Sequence, residues 1–300
     1  MIEAAPETRT ISWYRAEVDR ALGKLLDRCL ETTAPAVAEP VRYAVMGPGK
    51  RIRPLLFMAA VRSCGGDAKR AATAACSVEL VHAYSLVHDD LPCMDDDVLR
   101  RGRATVHVQF GVPAAVLAGA ALMPLAIRAL HEGSREMGLD AERTAELVTR
   151  LAVAAGGAGM VGGQLLDLRA EGRAVTADEL VTIHRGKTAR LISAAVAMGA
   201  VAAGAEKEIV GRLETFGVEL GLAFQAIDDI LDMRGTTDEL GKVSGRDADL
   251  RKATYPAVFG LEGAERESRT LVQAAESRLS GFEEADDLRA IASWILSRRS

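Results

Sequence analysis

Two tight groups of aspartates, each closing an apolar stretch, restrict the folds open to this 300-residue chain more than any other feature. The first is Asp89-Asp90-Leu91-Pro92-Cys93-Met94-Asp95-Asp96-Asp97, and the second is Asp228-Asp229-Ile230-Leu231-Asp232. Carboxylates this crowded repel one another and cost stability inside a fold unless positive charge sits among them. A hard divalent cation with oxygen ligands answers that need, and Mg²⁺ commonly completes its shell with substrate phosphates. A solvated acidic helix face would account for one such group; two in one chain favour metal sites.

The apolar spacing around these groups is helical. Val18, Leu22, Leu25, Leu26 and Leu30 recur at steps of three or four between Trp13 and Leu30. Gly47-Pro48-Gly49 breaks the chain, and Pro54 marks the start of a further helix from Leu55. A long helix from about Ala71 leads into the first aspartate group, and another opens at Gly111-Val112-Pro113 and runs through Ile127. Asp140 is placed to cap a helix carrying Leu147 and Leu151, and Thr176-Ala177-Asp178-Glu179 has capping-box spacing ahead of Leu180 to Met198. Glu206 to Leu231 reads as one helix ending in the second group. No alternating strand pattern or linker interrupts this, so the expectation is a single all-α domain, residues 1–300, of about ten helices.

Composition narrows the function classes. A hydrophobic content of 49% suffices for a large core, while a net charge of −5 supplies no basic stripe for nucleic acid. Apolar runs such as Leu191 to Ala205 stop short of the roughly 18 residues of a membrane span. The start at Met1–Glu7 lacks the basic and apolar segments of a signal peptide. Cys29, Cys64, Cys76 and Cys93 form no metal pattern and read as reduced thiols, which suits a soluble cytoplasmic protein.

Asp228 and Asp232 lie four apart on a continuous helix, so both can reach one metal; Asp229 is about 100° round and serves as support or alternative ligand. Asp89 and Asp95 are six apart, on different faces of a regular helix. Pro92 lies between them, and a break there would return Asp95 beside Asp89. Asp90 joins the possible ligands. Basic residues come in matching groups: Lys50 and Arg53, Arg100 and Arg101, Lys187 beside Thr188, and Lys242. Each alone could be a solvated face; with two metal-binding groups they read as two anion subsites in one cavity, one bridged by Mg²⁺ and one cationic. His82, two turns before Asp89 on the same face, is either a cavity ligand or a core histidine, and His88 is turned away. Gly162-Gly163-Gln164-Leu165-Leu166-Asp167 reads either as a packing site or as a polar cavity wall.

From Tyr43-Ala44-Val45-Met46-Gly47-Pro48-Gly49-Lys50-Arg51-Ile52-Arg53-Pro54 through both aspartate motifs, with Arg100-Arg101-Gly102 between, to Thr254-Tyr255-Pro256, the chain resembles the trans-isoprenyl diphosphate synthases, or polyprenyl synthetases. The resemblance implies an all-α bundle around a deep central cavity, a homodimer, and condensation of an allylic diphosphate of C5, C10 or C15 with isopentenyl diphosphate. It implies three Mg²⁺ ions, two on Asp89 and Asp95 and the third on Asp228 with Asp232. Arg100, Lys187 and Lys242 would then hold the allylic diphosphate, and Lys50, Arg53, His82 and Arg101 the isopentenyl diphosphate. Thr188 and Gln225 would line the site of the carbocation, and Lys252 would stand near the entrance.

Tyr84 and Ser85, five and four residues before Asp89, would set the floor of the apolar tunnel. A ring at Tyr84, with the Pro92-Cys93 insertion, favours a C15 product over the alternative C20. Two departures from the family pattern stand out: Ala120 in Gly119-Ala120-Ala121-Leu122 replaces an acid near the cavity, and Val98 stands where an acid often continues the first motif. The rivals are a terpene cyclase, which needs no second diphosphate site, and a weakly active partner subunit, in which motif aspartates would be lost.

Overall fold

The computed structural model describes residues 9–234 and 252–297. The periodic apolar residues of the N-terminal segment form one stripe of α1 (Arg9–Leu30), with Val18, Leu22, Leu25 and Leu26 wholly buried. Helix α2 (Pro35–Met46) ends at the Gly47-Pro48-Gly49 break, and α3 (Ile52–Ser63) begins two residues before Pro54. Then come α4 (Ala72–Asp89), a two-residue strand pair β1 (Leu99–Arg100) and β2 (Arg103–Ala104), and the short α5 (Val106–Phe110). Helices α6 (Val112–Met137), α7 (Ala141–Ala155), α8 (Met160–Ala170) and α9 (Ala177–His184) follow. A π turn (Arg185–Ala189) leads into α10 (Arg190–Ala202), then α11 (Lys207–Arg234), α12 (Tyr255–Arg278) and α13 (Asp286–Leu296).

The caps fall where the sequence places them. The Asp140 side chain accepts from the Arg143 amide at 2.8 Å, and Thr176 and Glu179 close a reciprocal capping box. The stretch expected as one helix from Leu180 to Met198 is instead split by the π turn, a conformation with no residue signature of its own.

Helices α3 and α10 form the centre. Leu191 to Ala202 of α10 are all buried, without a solvent-facing stripe. Small residues let the axes approach: a methyl group on Gly199 would lie 2.3 Å from the Phe57 carbonyl oxygen, and one on Gly217 would lie 2.5 Å from the Cα of Ser193 in α10. Truncating a side chain such as Leu191 to alanine in so tight a setting costs about 2–5 kcal/mol.

Helix α6 packs on α4 with equal intimacy, Gly133 lying against the backbone of Ala74. At 26 residues it is long and apolar enough, by length and composition, to cross a membrane, which departs from the short runs expected. The stretch 141–170 passes the same test but is divided between α7 and α8 at residues 156–159. Val112, Val116, Leu117 and Ile127 of α6 are exposed.

Candidate functional site

Helix α4 ends where Pro92 predicts. Its ladder closes at Asp90, Leu91 donates to the His88 carbonyl at 3.1 Å, and the chain folds back so that the Asp95 amide donates to the Asp89 carbonyl at 2.8 Å. The break therefore returns Asp95 to the end of α4 beside Asp89. Opposite, α11 presents Asp228 and Asp232 one turn apart. All four line one cavity of about 1220 Å³, enclosed by α3, α4, α8, the π turn, α11 and the segment before α12.

Asp90 and Asp229 also hold protein partners. Asp90 is 3% exposed and receives Nε and Nη2 of Arg100, which also donates to Asp97 at 2.7 Å. Asp229 is 5% exposed; it accepts from Gln225 Nε2 at 2.8 Å and from the Tyr255 amide at 2.9 Å, and lies 3.5 Å from His184 Nε2. Each thus organises neighbouring groups: Asp90 fixes Arg100, and Asp229 ties α11 to the start of α12.

The cavity cations follow a similar logic. Lys187 meets Asp167 of α8 at 2.5 Å, and Lys252 meets Asp95 at 3.0 Å. Burial alone would lower the Lys187 ammonium, yet Asp167, Asp89 and Asp95 carry it above the usual lysine value. Burial pushes the Asp89 carboxyl up to about 6, Asp95 adding to the rise and Lys187 opposing it. The π turn brings Thr188 to Gln225, the hydroxyl donating to Oε1 at 2.8 Å, so the two residues expected at the carbocation site are adjacent. Lys242 lies outside the described residues.

A second wall is cationic. Arg101 sits at the tip of the β1–β2 hairpin, where its φ of 54° and the 74° of Gly102 make the two left-handed positions of a tight turn. From there its guanidinium donates to the Pro48 carbonyl at 3.0 Å and lies 3.3 Å from His82 Nε2. Lys50, Arg53 and His82 line the same region. Desolvation holds the His82 imidazole well below its usual value, reinforced by the guanidiniums of Arg53 and Arg101, so it stays neutral at pH 7.

Met160, Val161, Leu165, Leu168 and Phe224 add apolar lining to the same cavity. Tyr84 and Ser85 line the cavity below Asp89. The Tyr84 ring packs edge-on against His88 at 4.8 Å. His88, expected to turn away from the aspartates, lies against α6, its Nε2 3.2 Å from the Val116 carbonyl over Gly119, and also borders the cavity. Ala120, expected near the cavity, is exposed on α6, and Val98 is exposed as well.

A family model described as polyprenyl synthetase matches residues 34–294. Farnesyl diphosphate synthase of Escherichia coli (strain K12) is 45% identical over 267 residues, covering 87% of this chain and 89% of that protein. The chain belongs to the polyprenyl synthetase family. It is a short-chain trans-prenyltransferase that joins prenyl units head to tail. Geranylgeranyl pyrophosphate synthase 12, chloroplastic, of Arabidopsis thaliana is also 45% identical, over 271 residues, covering 88% of this chain and 75% of that protein. Among solved structures, the geranyltransferase from Helicobacter pylori complexed with magnesium and isoprenyl diphosphate matches with a TM-score of 0.82 at 32% identity, covering 96% of this chain and 97% of that one.

Several working residues of this synthetase escape a reading of sequence spacing. Asp167 belongs to the Gly162–Asp167 stretch that left packing and cavity wall as alternatives, and the structure uses both. Gly163 abuts the backbone of Gly186 and Lys187, while Gln164 and Asp167 line the cavity. Glu79, Asp19 and Arg51 form a buried-to-surface ion cluster below the cationic wall, which nothing in local spacing announces.

A methyl group on Gly163 would lie 2.0 Å from the Lys187 amide nitrogen, and the backbone-to-backbone contact has no flexible end to yield. Gly163→Ala is therefore expected to lose about 1–3 kcal/mol of stability in urea melts. Gly211→Ala on α11, where nothing lies within 4 Å, should be neutral or gain up to about 1 kcal/mol.

Proposed function

We propose that this domain condenses an allylic diphosphate with isopentenyl diphosphate with the aid of three Mg²⁺ ions, and that its main product is C15. The observation carrying this reading is the division of one cavity into an acidic wall (Asp89, Asp95, Asp228, Asp232), a cationic wall (Lys50, Arg53, His82, Arg101) and an apolar tunnel. Two diphosphates of different chemistry need two anion subsites, and a terpene cyclase would need only one.

The acidic wall suits Mg²⁺. Among the described residues no three acidic, imidazole or thiol groups converge on one point. That fits an ion taking one or two carboxylates and completing its shell with water and substrate phosphate. Asp89 and Asp95 would hold two ions, and Asp228 with Asp232 the third. When bound, Mg²⁺ supplies positive charge to the departing diphosphate.

The chain's own groups do the rest. Lys187, kept charged by Asp167, Asp89 and Asp95, and Arg100, fixed by Asp90 and Asp97, face the allylic diphosphate as its C–O bond breaks and the electron pair leaves with the diphosphate. Gln225 Nε2 is committed to Asp229 and its Oε1 to the Thr188 hydroxyl, so these dipoles are fixed in advance beside the developing carbocation. Met160, Leu168 and Phe224 keep water from it. The isopentenyl double bond then forms the new C–C bond, and the proton lost passes to the departed diphosphate.

Tyr84 supports C15, because its ring, braced by His88, narrows the tunnel below Asp89. The apolar residues exposed along α6 support a homodimer, and Cys29, Cys64, Cys76 and Cys93, all unbridged, suit the cytoplasm.

Asp89→Ala and Asp228→Ala are each expected to lower kcat at least ~10²–10³-fold at saturating Mg²⁺, the scale of losing one electrostatic stabiliser; near-wild-type turnover in either would overturn the assignment. Tyr84→Ala should shift the product, sized by chromatography, from C15 toward C20, and an unchanged distribution would place the floor elsewhere. Sedimentation should find a dimer at micromolar concentration, with Leu117→Glu shifting it toward monomer; a wild-type monomer would refute the interface.

A further inference from the structure

Lys50 and Arg53 flank Arg51, which borders the same cavity but whose guanidinium is committed to partners within the fold. Arg51 stands at the start of α3 with a φ of 53°, in the left-handed region that residues with a β-carbon rarely adopt. Its side chain is 5% exposed, whereas Lys50 is exposed and Arg53 half-buried. The guanidinium makes three ties to three parts of the fold. Nε donates to Asp19 of α1 at 2.9 Å, Nη1 to Glu79 of α4 at 2.9 Å, and Nη2 to the Gly47 carbonyl of its own turn at 3.1 Å.

Glu79 lies three residues before His82 on α4, so the buried end of this clamp and the imidazole on the cationic wall share one stretch of helix. From the hairpin Arg101 donates to the Pro48 carbonyl of the same turn. Both guanidiniums close on Gly49: an added methyl would lie 2.5 Å from Arg101 Nη1 and 3.2 Å from Arg51 Nη1, so a side chain there would displace them. Two arginines thus hold residues 47–51, and Lys50 and Arg53, carried on or just after that stretch, depend on where it is set.

Stability alone does not account for the arrangement. A buried ion pair is often no more stabilising than apolar residues of similar size, and a left-handed non-glycine residue adds strain. Burial by itself would lower the Arg51 guanidinium; Glu79 and Asp19 reverse this and keep it fully charged.

We propose that Arg51 is a positioning residue for the second diphosphate, acting through the turn to hold Lys50 and Arg53 at a common spacing from His82 and Arg101. This rests on the reading of those four residues as the isopentenyl diphosphate subsite. A fixed spacing lets several cations engage one phosphate group together, and a loosened turn would leave them to bind singly.

Steady-state kinetics with isopentenyl diphosphate varied at saturating geranyl diphosphate, and the reverse, separate the two ideas. Arg51→Lys keeps the charge and loses the fork; it should raise KM for isopentenyl diphosphate about tenfold, the scale of one lost charged hydrogen bond, with KM for geranyl diphosphate changed less than about twofold. Asp19→Asn removes one tie at a half-exposed carboxylate and should raise the same KM about threefold, with Asp19→Glu restoring it. Arg53→Gln tests the subsite itself: an unchanged KM for isopentenyl diphosphate there would sink that reading. If Arg53→Gln raises that KM while Arg51→Lys and Asp19→Asn leave it alone, or raise both KM values equally, the positioning role is overturned. Should Arg51→Lys fail to fold, Asp19→Asn alone decides.

Discussion

Lys187 and Asp167 meet at 2.5 Å between the π turn and α8, and this pairing expresses the constraint under which the whole cavity is built. An apolar bundle cannot hold a wall of carboxylates unless each is offered charge or donors from elsewhere in the chain. Arg100 answers Asp90 and Asp97, Lys252 answers Asp95, and Gln225 with the Tyr255 amide answers Asp229. The answering groups come from four separate stretches, so the electrostatics of the site also fix the order in which helices surround it. The same pairings hold Arg100, Lys187 and Lys252 in the lining of the cavity.

The opposite wall obeys the converse rule. His82 is kept neutral by desolvation and by the guanidiniums around it, which marks a region where positive charge exceeds negative. Anions entering the cavity therefore meet two environments of different character within one volume of about 1220 Å³. Met160, Val161 and Leu165, among others, add apolar lining to the same cavity, and on the proposed reading they keep water from a reactive cation.

Much of this was legible in the sequence, for reasons that differ from element to element. The helices were readable because apolar residues at three-and-four spacing and caps such as Asp140 and Thr176 act locally. The break at Pro92, and with it the return of Asp95 to Asp89, followed from a missing amide donor in an otherwise continuous helix. What stayed hidden depends on contacts between distant segments. Asp90 was legible as an acid, but its commitment to Arg100 depends on the fold of the hairpin ten residues later. The seat of His88 against α6 needs the bare backbone of Gly119. The reach of Lys187 to Asp167 needs Gly163 and Gly186 in contact, which no reading of either helix alone would reveal.

The π turn at Arg185–Ala189 makes one further demand. It slips one additional residue into a helical run, so α10 leaves it rotated by about 100° from the course α9 would have dictated. Most helices could absorb such a change by rolling a blank, water-facing side into a new direction. Helix α10 has no such side, since Leu191 to Ala202 are enclosed all round. Losing a single residue from the turn would thus misalign an entire central rod.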